Sequence, residues 1–180
     1  MTRYRLSVCS VDASRIKFEE RHSIMGIFEA REHLKKFNRD LNIIEFSESS
    51  ATVELAAKAL NTEEYRIAKT LSFLVEDDAI LIVTAGNMKI DNKKYRDEFK
   101  CKAKMLNPIE VQEKVGHAIG GVCPFGIVKN VKIYLDESLK QYDYIYPACG
   151  SSNSAIKLTC NELEMIINNS KWINVCKEKE

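Results

Sequence analysis

A lysine in an unusual setting is the first candidate for chemistry. Lys69 lies in Arg66-Ile67-Ala68-Lys69-Thr70-Leu71, where a helical stretch passes into an apolar strand. A lysine at such a junction can point inward, and a buried ammonium is costly unless it is paired, so a fold usually keeps one there for an anion or a polar ligand. The alternative is an ordinary surface lysine at a strand end.

A glycine-rich segment is the second candidate. Four of the seven glycines of the chain fall between Gly116 and Gly126. Glycine lets a ligand approach main-chain N–H groups closely, as in loops that stabilise an oxyanion, although a tight structural turn would also explain the segment. It lacks the Gly-Lys-Ser/Thr ending of a phosphate-binding P-loop, which excludes that class of nucleotide hydrolase.

Two reactive side chains lie within this segment. His117 is a candidate general base because its ordinary pKa lies near neutrality, but a lone histidine is more often structural. Cys123 would serve as a nucleophile only in contact with a histidine and an orienting acid. A small polar loop, Pro147-Ala148-Cys149-Gly150-Ser151-Ser152-Asn153-Ser154, supplies further hydroxyl and N–H groups at a place where sites are often built.

The six cysteines predict no metal centre. They are widely scattered, without a Cys-x-x-Cys pair or a Cys-x-x-His spacing, so a zinc site is not expected. Reduced, mostly buried thiols are the default in a chain without an export signal. Neither a metal nor a cofactor is therefore predicted.

Charge is concentrated in one segment. The chain carries 27 Lys+Arg against 26 Asp+Glu and a net charge of +1, which argues against a general nucleic-acid coat. Between Lys89 and Lys104, however, the chain has seven basic residues and only three acidic ones. The segment is either a solvated helix face or a patch that meets phosphates, with Lys89, Lys93, Lys94 and Arg96 as the candidate contacts.

Short elements must position these residues. Apolar residues at three- and four-residue steps (Ile27, Ala30, Leu34, Phe37) predict an amphipathic helix, and residues 70–75 and 79–84 predict a hairpin. Ser50 or Thr52 and Asp91 are expected to cap helices, and Asn107-Pro108 is expected to begin another because proline suits the first helical turn. Further strands are predicted at residues 1–10, 41–46, 131–135, 144–146, 155–158 and 172–173, and a last helix around residues 163–167.

Together the elements predict one α+β domain over residues 1–180, with a mixed, mostly antiparallel sheet and short flanking helices. No linker or repeat marks a boundary. The longest apolar run, residues 79–83, is far short of a membrane span, and the charged first twenty residues do not resemble a signal peptide. We therefore expect a cytoplasmic protein that makes no membrane contact.

The motifs together resemble the YbaK/prolyl-tRNA synthetase-associated editing domain family. The resemblance rests on the Lys69-Thr70-Leu71 motif, Val83-Thr84-Ala85-Gly86 followed by Ile90-Asp91, and the glycine-rich segment ending at Gly126. It continues through residues 133–139 and ends with Gly150 and Ile156-Lys157-Leu158. It spans about residues 50 to 170, whereas residues 1–48 are less diagnostic.

The resemblance implies a free-standing hydrolase that removes a wrong amino acid from aminoacyl-tRNA, most often tRNA(Pro), with a synthetase as a further candidate partner. It implies catalytic roles for Lys69, Gly120 and Gly121. The implied substrate-binding residues also include Thr70, His117, Val122, Cys123, Pro124, Gly150, Ser151 and Ser152. Ser154-Ala155-Ile156 lacks the acidic residue or histidine that some members carry, so the amino acid removed is left open.

The residues themselves are consistent with this chemistry. An aminoacyl ester is already activated, so its hydrolysis needs a placed water, N–H donors at the oxyanion and a nearby cation, without a covalent nucleophile. Two alternatives are open: a non-catalytic module that senses an amino acid, a nucleotide or tRNA, and a thiol hydrolase centred on Cys123.

Overall fold

A computed structural model describes residues 26–128 and 130–179. Its helices are α1 (residues 26–35), α2 (Val53–Leu60), α3 (Asn92–Phe99), α4 (Pro108–Val115) and α5 (Cys160–Ile167). Its strands are β1 (Ile43–Glu45), β2 (Ile67–Val75), β3 (Asp78–Ala85), β4 (Met88–Ile90), β5 (Lys132–Asp136), β6 (Tyr146–Pro147), β7 (Ser154–Ile156), β8 (Lys171–Ile173) and β9 (Cys176–Glu178). Short 3-10 helices occur at Asp40–Asn42, Glu64–Arg66 and Glu137–Gln141.

The predicted hairpin forms the centre of a five-stranded sheet. β2 and β3 pair antiparallel from Ala68↔Ala85 to Val75↔Asp78, and the order across the sheet is β6-β2-β3-β5-β8. The shorter β2–β6, β3–β5 and β5–β8 pairings are parallel, whereas the two-stranded sheets β1–β7 and β4–β9 are antiparallel. The predicted α+β class with a mixed sheet and short helices is confirmed.

The predicted helix starts are also found. The side chain of Thr52 accepts a hydrogen bond from the Leu55 N–H, and Asp91 accepts from the N–H groups of the first turn of α3. Asn107 closes a reciprocal capping box at the start of α4, and α2 ends at Asn61 in the left-handed conformation. Because these signals act within a few residues, they are legible in the sequence.

The core lies around β3, of which Ala79 to Ala85 are all buried. Ala30 and Leu34 of α1 are fully buried in it, as the helical spacing of these apolar residues requires. Leu163, Ile166 and Ile167 of α5 belong to the same cluster, whereas α2 packs Ala56 and Ala57 on Ile67 in a smaller one. The sheet is thereby fixed between helices, with β2 near its edge.

Some predicted elements differ. The strand expected over residues 41–46 is only β1, because Asp40–Asn42 form a 3-10 turn before it. The β4–β9 pairing was not predicted, since its strands have three residues each and lie far apart in sequence. The strand expected at residues 1–10 lies outside the described residues. In the part of the chain that the structure describes, no helix has the length and apolar character needed to cross a membrane.

Candidate functional site

A cavity of about 320 Å³ opens at the free edge of β2. At one end of this edge, Ile67 and Ala68 pair with β6. At the other end, the Leu74 N–H donates to the Lys104 carbonyl over 2.9 Å, and the Ser72 carbonyl accepts from the Leu106 N–H over 3.1 Å. The strand edge between these partners is left open, and the cavity occupies the gap.

Thr70 lies at the centre of the open edge. Backbone groups alternate along a strand, so its N–H and C=O point the same way as those of Ser72 and Leu74, away from β3. Its hydroxyl oxygen Oγ1 is buried and has no hydrogen-bond partner among the described residues. Thr70 therefore offers a donor and acceptors to a ligand in the cavity, and a buried polar group of this kind calls for a partner.

Among the described residues that line the cavity, only Lys69 has a charged side chain. It is half-buried, and its ammonium Nζ donates to the carbonyl oxygens of Gly86, over 3.2 Å, and of Met88. Burial, together with the positive charge of Lys179, lowers the pKa of Lys69 to about 8. The lysine is therefore mostly cationic at neutral pH.

The wall opposite β2 comes from the glycine-rich segment and from the start of α2. Gly120 has a φ of +88°, a conformation that favours glycine, and Gly121 packs so closely on the next loop that a Cβ would lie 2.7 Å from the Ser151 nitrogen. Ser50 to Val53 complete this wall. The first turn of α2 therefore places the positive end of its helix dipole at the cavity.

The donors of the glycine-rich segment are only partly free. The Gly121 N–H, which the sequence suggested as an oxyanion donor, donates instead to the Ala118 carbonyl over 3.1 Å. Within residues 26–128 and 130–179, no hydrogen bond involves the N–H of Gly120 or of Val122, and both residues line the cavity. These two amides are therefore available as donors at the cavity wall.

His117 and Cys123 lie behind the cavity wall rather than on it. Both are fully buried, and the Cys123 N–H donates to His117 Nδ1 over 3.3 Å. Burial lowers the pKa of His117 to about 4 and raises the pKa of Cys123 to about 12. Cys123 Sγ also lies 3.8 Å from His117 Nδ1, but the histidine stays neutral, the thiol stays protonated, and neither residue lines the cavity where a ligand would lie.

The other predicted binding residues support the wall from outside. Buried Pro124 borders a different hollow, together with Ile127 and Ile133. Gly150 is left-handed and Ser151 donates to Ser154 Oγ over 2.7 Å, while the Ser152 carbonyl accepts from the Ser50 N–H over 2.6 Å. The structure thus brings Lys69, Thr70, Gly120 and Val122 to the cavity and places Gly150, Ser151 and Ser152 beside it.

The basic segment forms β4 and α3. Lys93, Lys94 and Arg96 are exposed on α3, and Lys89 is half-buried on β4. Lys94 Nζ donates to Asn174 Oδ1 over 2.8 Å and to the Cys176 carbonyl over 2.9 Å, so part of its role is structural. None of these residues lines the cavity.

Sequence reasoning missed several wall residues. Met105, Leu106 and Tyr146 border the cavity and were not predicted, whereas Ala148 and Ser154 belong to the predicted polar loop. Met105 and Ile119 are more than half exposed at the rim of the cavity. Apart from Lys69, the described lining is apolar or neutral, with no carboxylate and no imidazole. Among the described residues, no group of three or more His, Cys, Asp or Glu could hold a metal ion.

This arrangement suits one kind of chemistry. A small apolar or neutral group fits the cavity, while free amides, a helix N-terminus and an ammonium lie near it to stabilise negative charge. Lys69 is mostly protonated at neutral pH and its ammonium is held by two carbonyls, and the rest of the described wall has no carboxylate, imidazole or thiol. The reacting bond therefore has to be one that water can attack without a protein base.

Comparisons with known proteins place this chain in a family. Residues 47–166 match the model of the aminoacyl-tRNA editing domain family. The uncharacterized protein YwhH of Bacillus subtilis is 52% identical over 157 residues, which cover 87% of this chain and all of that protein.

Two further likenesses carry functional descriptions. EbsC of Enterococcus faecalis, described as a candidate Cys-tRNA(Pro)/Cys-tRNA(Cys) deacylase, is 30% identical over 63% of this chain and 70% of its own length. A crystal structure described as that of a candidate trans-editing enzyme for prolyl-tRNA synthetase superposes with a TM-score of 0.76 at 26% identity, covering 86% of this chain and 98% of that one.

Proposed function

The chain belongs to the aminoacyl-tRNA editing domain family and is an aminoacyl-tRNA deacylase, and we propose that it acts in trans on tRNA(Pro) that carries a wrong amino acid. The observation that carries the proposal is the cavity at the open edge of β2, which joins a small neutral pocket to Lys69 and unpaired N–H groups. An aminoacyl ester presents a small side chain, a carbonyl that becomes an oxyanion, and a phosphate-bearing nucleotide, and each has a counterpart there.

In the proposed mechanism, water attacks the ester carbonyl and the tRNA hydroxyl leaves. The amides of Gly120 and Val122, with the first turn of α2, face the developing negative charge on the carbonyl oxygen. The ester is activated already, so placing the water near the carbonyl supplies much of the acceleration. The tRNA hydroxyl neighbouring the ester assists the water, since the described wall offers no general base.

Lys69 has the role of a positioning cation. Its ammonium is anchored by the Gly86 and Met88 carbonyls, which fixes its direction and leaves its positive charge beside the cavity. A cation held in this way attracts the phosphate of the terminal nucleotide and stabilises charge in the transition state. Cys123 takes no part, because its pKa of about 12 keeps the thiol protonated.

Selection among amino acids follows from pocket size. The described lining is mostly small or aliphatic, including Ala51, Ala56, Ala148 and Ala155. Each methylene that fits or fails to fit changes binding by about 1–3 kcal/mol. We expect small uncharged side chains to enter and larger or charged ones to be rejected.

The choice of tRNA(Pro) is supported by the descriptions of EbsC and of the trans-editing enzyme, both of which refer to proline tRNA or its synthetase. Lys89, Lys93, Lys94 and Arg96 are proposed to contact the tRNA phosphates outside the cavity. Phosphate contacts of this kind make binding fall with salt concentration.

The test is a panel of charged tRNAs. We expect the protein to accelerate deacylation of tRNA(Pro) carrying alanine, cysteine or serine, with prolyl-tRNA(Pro) left intact. Hydrolysis of the same amino acids on their cognate tRNAs is measured in parallel, which shows whether the protein also recognises the tRNA. Equal hydrolysis of all tRNAs would contradict the choice of tRNA(Pro), and binding without any hydrolysis would favour the sensing module.

A further inference from the structure

An aromatic surface lies next to the cavity and has no role in the mechanism above. It consists of Tyr65, Tyr142, Tyr144 and Tyr146 with the cations Arg66 and Lys157, and we refer to it as the tyrosine surface. These are four of the seven tyrosines of the chain, and all four are half-buried. They come from the segment before β2 and from the segment that leads into β6.

The rings are held in a connected array. Tyr65 and Tyr142 stack with centroids 4.8 Å apart, and the Arg66 guanidinium lies 5.7 Å from the Tyr65 centroid and 4.0 Å from the Tyr144 centroid. Tyr144 and Tyr146 meet edge to face at 5.7 Å. Such contacts fix the rings in place before any ligand arrives.

The two cations differ in how firmly they are held. Arg66 is only 18% exposed and is paired with Asp143 at 2.6 Å and with Glu63 at 3.3 Å, so its charge is neutralised locally. Lys157 is exposed, and its Nζ lies 3.8 Å from the Tyr144 centroid. No ion pair of Lys157 occurs within residues 26–128 and 130–179. Its ammonium is free to leave the ring.

The tyrosine surface is continuous with the cavity. Tyr146 belongs to the cavity wall together with Ala148, and the same ring touches Tyr144. A nucleotide chain whose terminal acyl group occupies the cavity can therefore leave it along Tyr146 and cross rings that are already positioned.

On the basis of the proposed function, we propose that the tyrosine surface binds the unpaired 3′-terminal nucleotides of the tRNA by base stacking. A base takes the place of Lys157 over the Tyr144 ring, and the released ammonium contacts a phosphate. The exchange is favourable because stacking of a base on an aromatic side chain is worth more than an exposed cation–π contact.

The local charge favours an unpaired strand over a duplex. Duplex binding depends on many phosphate contacts and a dense positive field. Here Asp143 and Glu63 offset Arg66, so Lys157 is the cation of the tyrosine surface that has no carboxylate partner among the described residues. Stacking is then the main attraction, and a single phosphate contact predicts a shallow salt dependence, with a slope of about −0.7 in log K against log salt.

The experiment uses fluorescence anisotropy to measure binding of a labelled RNA oligonucleotide to the intact chain. The oligonucleotide ends in CCA and carries no amino acid. Tyr144→Leu removes the ring, whereas Tyr144→Phe keeps it and serves as the matched control. We expect Tyr144→Leu to weaken binding at least about fivefold and Tyr144→Phe to leave it nearly unchanged. Lys157→Gln, at an exposed position, is expected to flatten the salt slope to near zero while the fold is retained.

Several results would overturn the inference. The first is that the wild-type chain does not bind the oligonucleotide. The second is that it binds a blunt RNA hairpin as tightly as the oligonucleotide, and the third is that Tyr144→Leu and Tyr144→Phe bind with equal affinity. A Tyr144→Leu chain that fails to fold leaves the decision to the salt slope of Lys157→Gln, and an unchanged slope would count against the phosphate contact. Because this RNA carries no amino acid, its binding is measured independently of hydrolysis. A chain that binds it but deacylates none of the mischarged tRNAs would refute the proposed function and leave this inference standing.

Discussion

Replacing Lys69 with methionine tests whether the lysine is buried at a cost to stability. Burial lowers the pKa of Lys69 from 10.5 to about 8, which corresponds to about 3 kcal/mol of difference between the charged and neutral forms. Lys69 is only half-buried, and solvent screening reduces that figure, so we expect an effect of about 1–2 kcal/mol.

The sign follows from proton binding. Between pH 8 and pH 10.5 the unfolded chain holds a proton on Lys69 that the folded chain has released, so the stability of the wild type rises with pH in this window. Below pH 8 both states are protonated, and the contribution of Lys69 no longer changes. Lys69→Met lacks this titration, so the wild type should gain about 1–2 kcal/mol over the variant as the pH rises through the window.

The assay is urea unfolding followed by the fluorescence of Trp172, the single tryptophan, at several pH values from 7 to 10.5. Exposed Lys58 on α2 gives the matched control, since Lys58→Met removes a lysine that burial does not penalise. Because the comparison concerns the change with pH, the loss of hydrogen bonds to Gly86 and Met88 does not confuse it. If the difference in free energy of unfolding between the wild type and Lys69→Met stays constant or falls as the pH rises, this result refutes the burial argument.

Three further predictions concern the loop, the thiol and the basic segment. Gly121→Ala should lower the free energy of unfolding by about 1–3 kcal/mol, because its Cβ would lie 2.7 Å from the Ser151 backbone; an unchanged melting temperature would contradict the close packing. Cys123→Ala and iodoacetamide treatment should leave deacylation intact, since the thiol is fully buried, and a loss of activity would point to thiol chemistry. Replacing Lys93 and Lys94 together with Gln should weaken tRNA binding and flatten its salt dependence, whereas an unchanged slope would place the tRNA elsewhere.

The sequence predicted best what neighbouring residues decide. Thr52, Asp91 and Asn107 cap their helices because a cap depends on a side chain and the next few N–H groups. The hairpin of β2 and β3 has the same local character, since two apolar runs flank a short acidic turn.

The candidate site was predictable only in part. Lys69 and the glycine-rich segment stand out by residue type, and both reach the cavity. The open edge of β2 does not appear in any motif, because it exists only where β6 and the segment around Leu106 stop pairing with the strand. Tyr146 and Ser154 also reach the wall only because the fold brings distant segments of the chain together. The Gly121 N–H is unavailable to a ligand because it donates to the Ala118 carbonyl within a turn.

The central claim is that the cavity hydrolyses the ester of a mischarged tRNA with the help of Lys69 and without a covalent nucleophile. The most direct measurement is single-turnover deacylation of tRNA(Pro) charged with alanine, cysteine or serine, comparing the wild type, Lys69→Ala and the exposed control Lys58→Ala. We predict rapid loss of at least one amino acid with the wild type and Lys58→Ala, and a rate near the spontaneous one with Lys69→Ala. Equal rates for wild type and Lys69→Ala, or hydrolysis of prolyl-tRNA(Pro) as fast as of the mischarged species, would contradict the account.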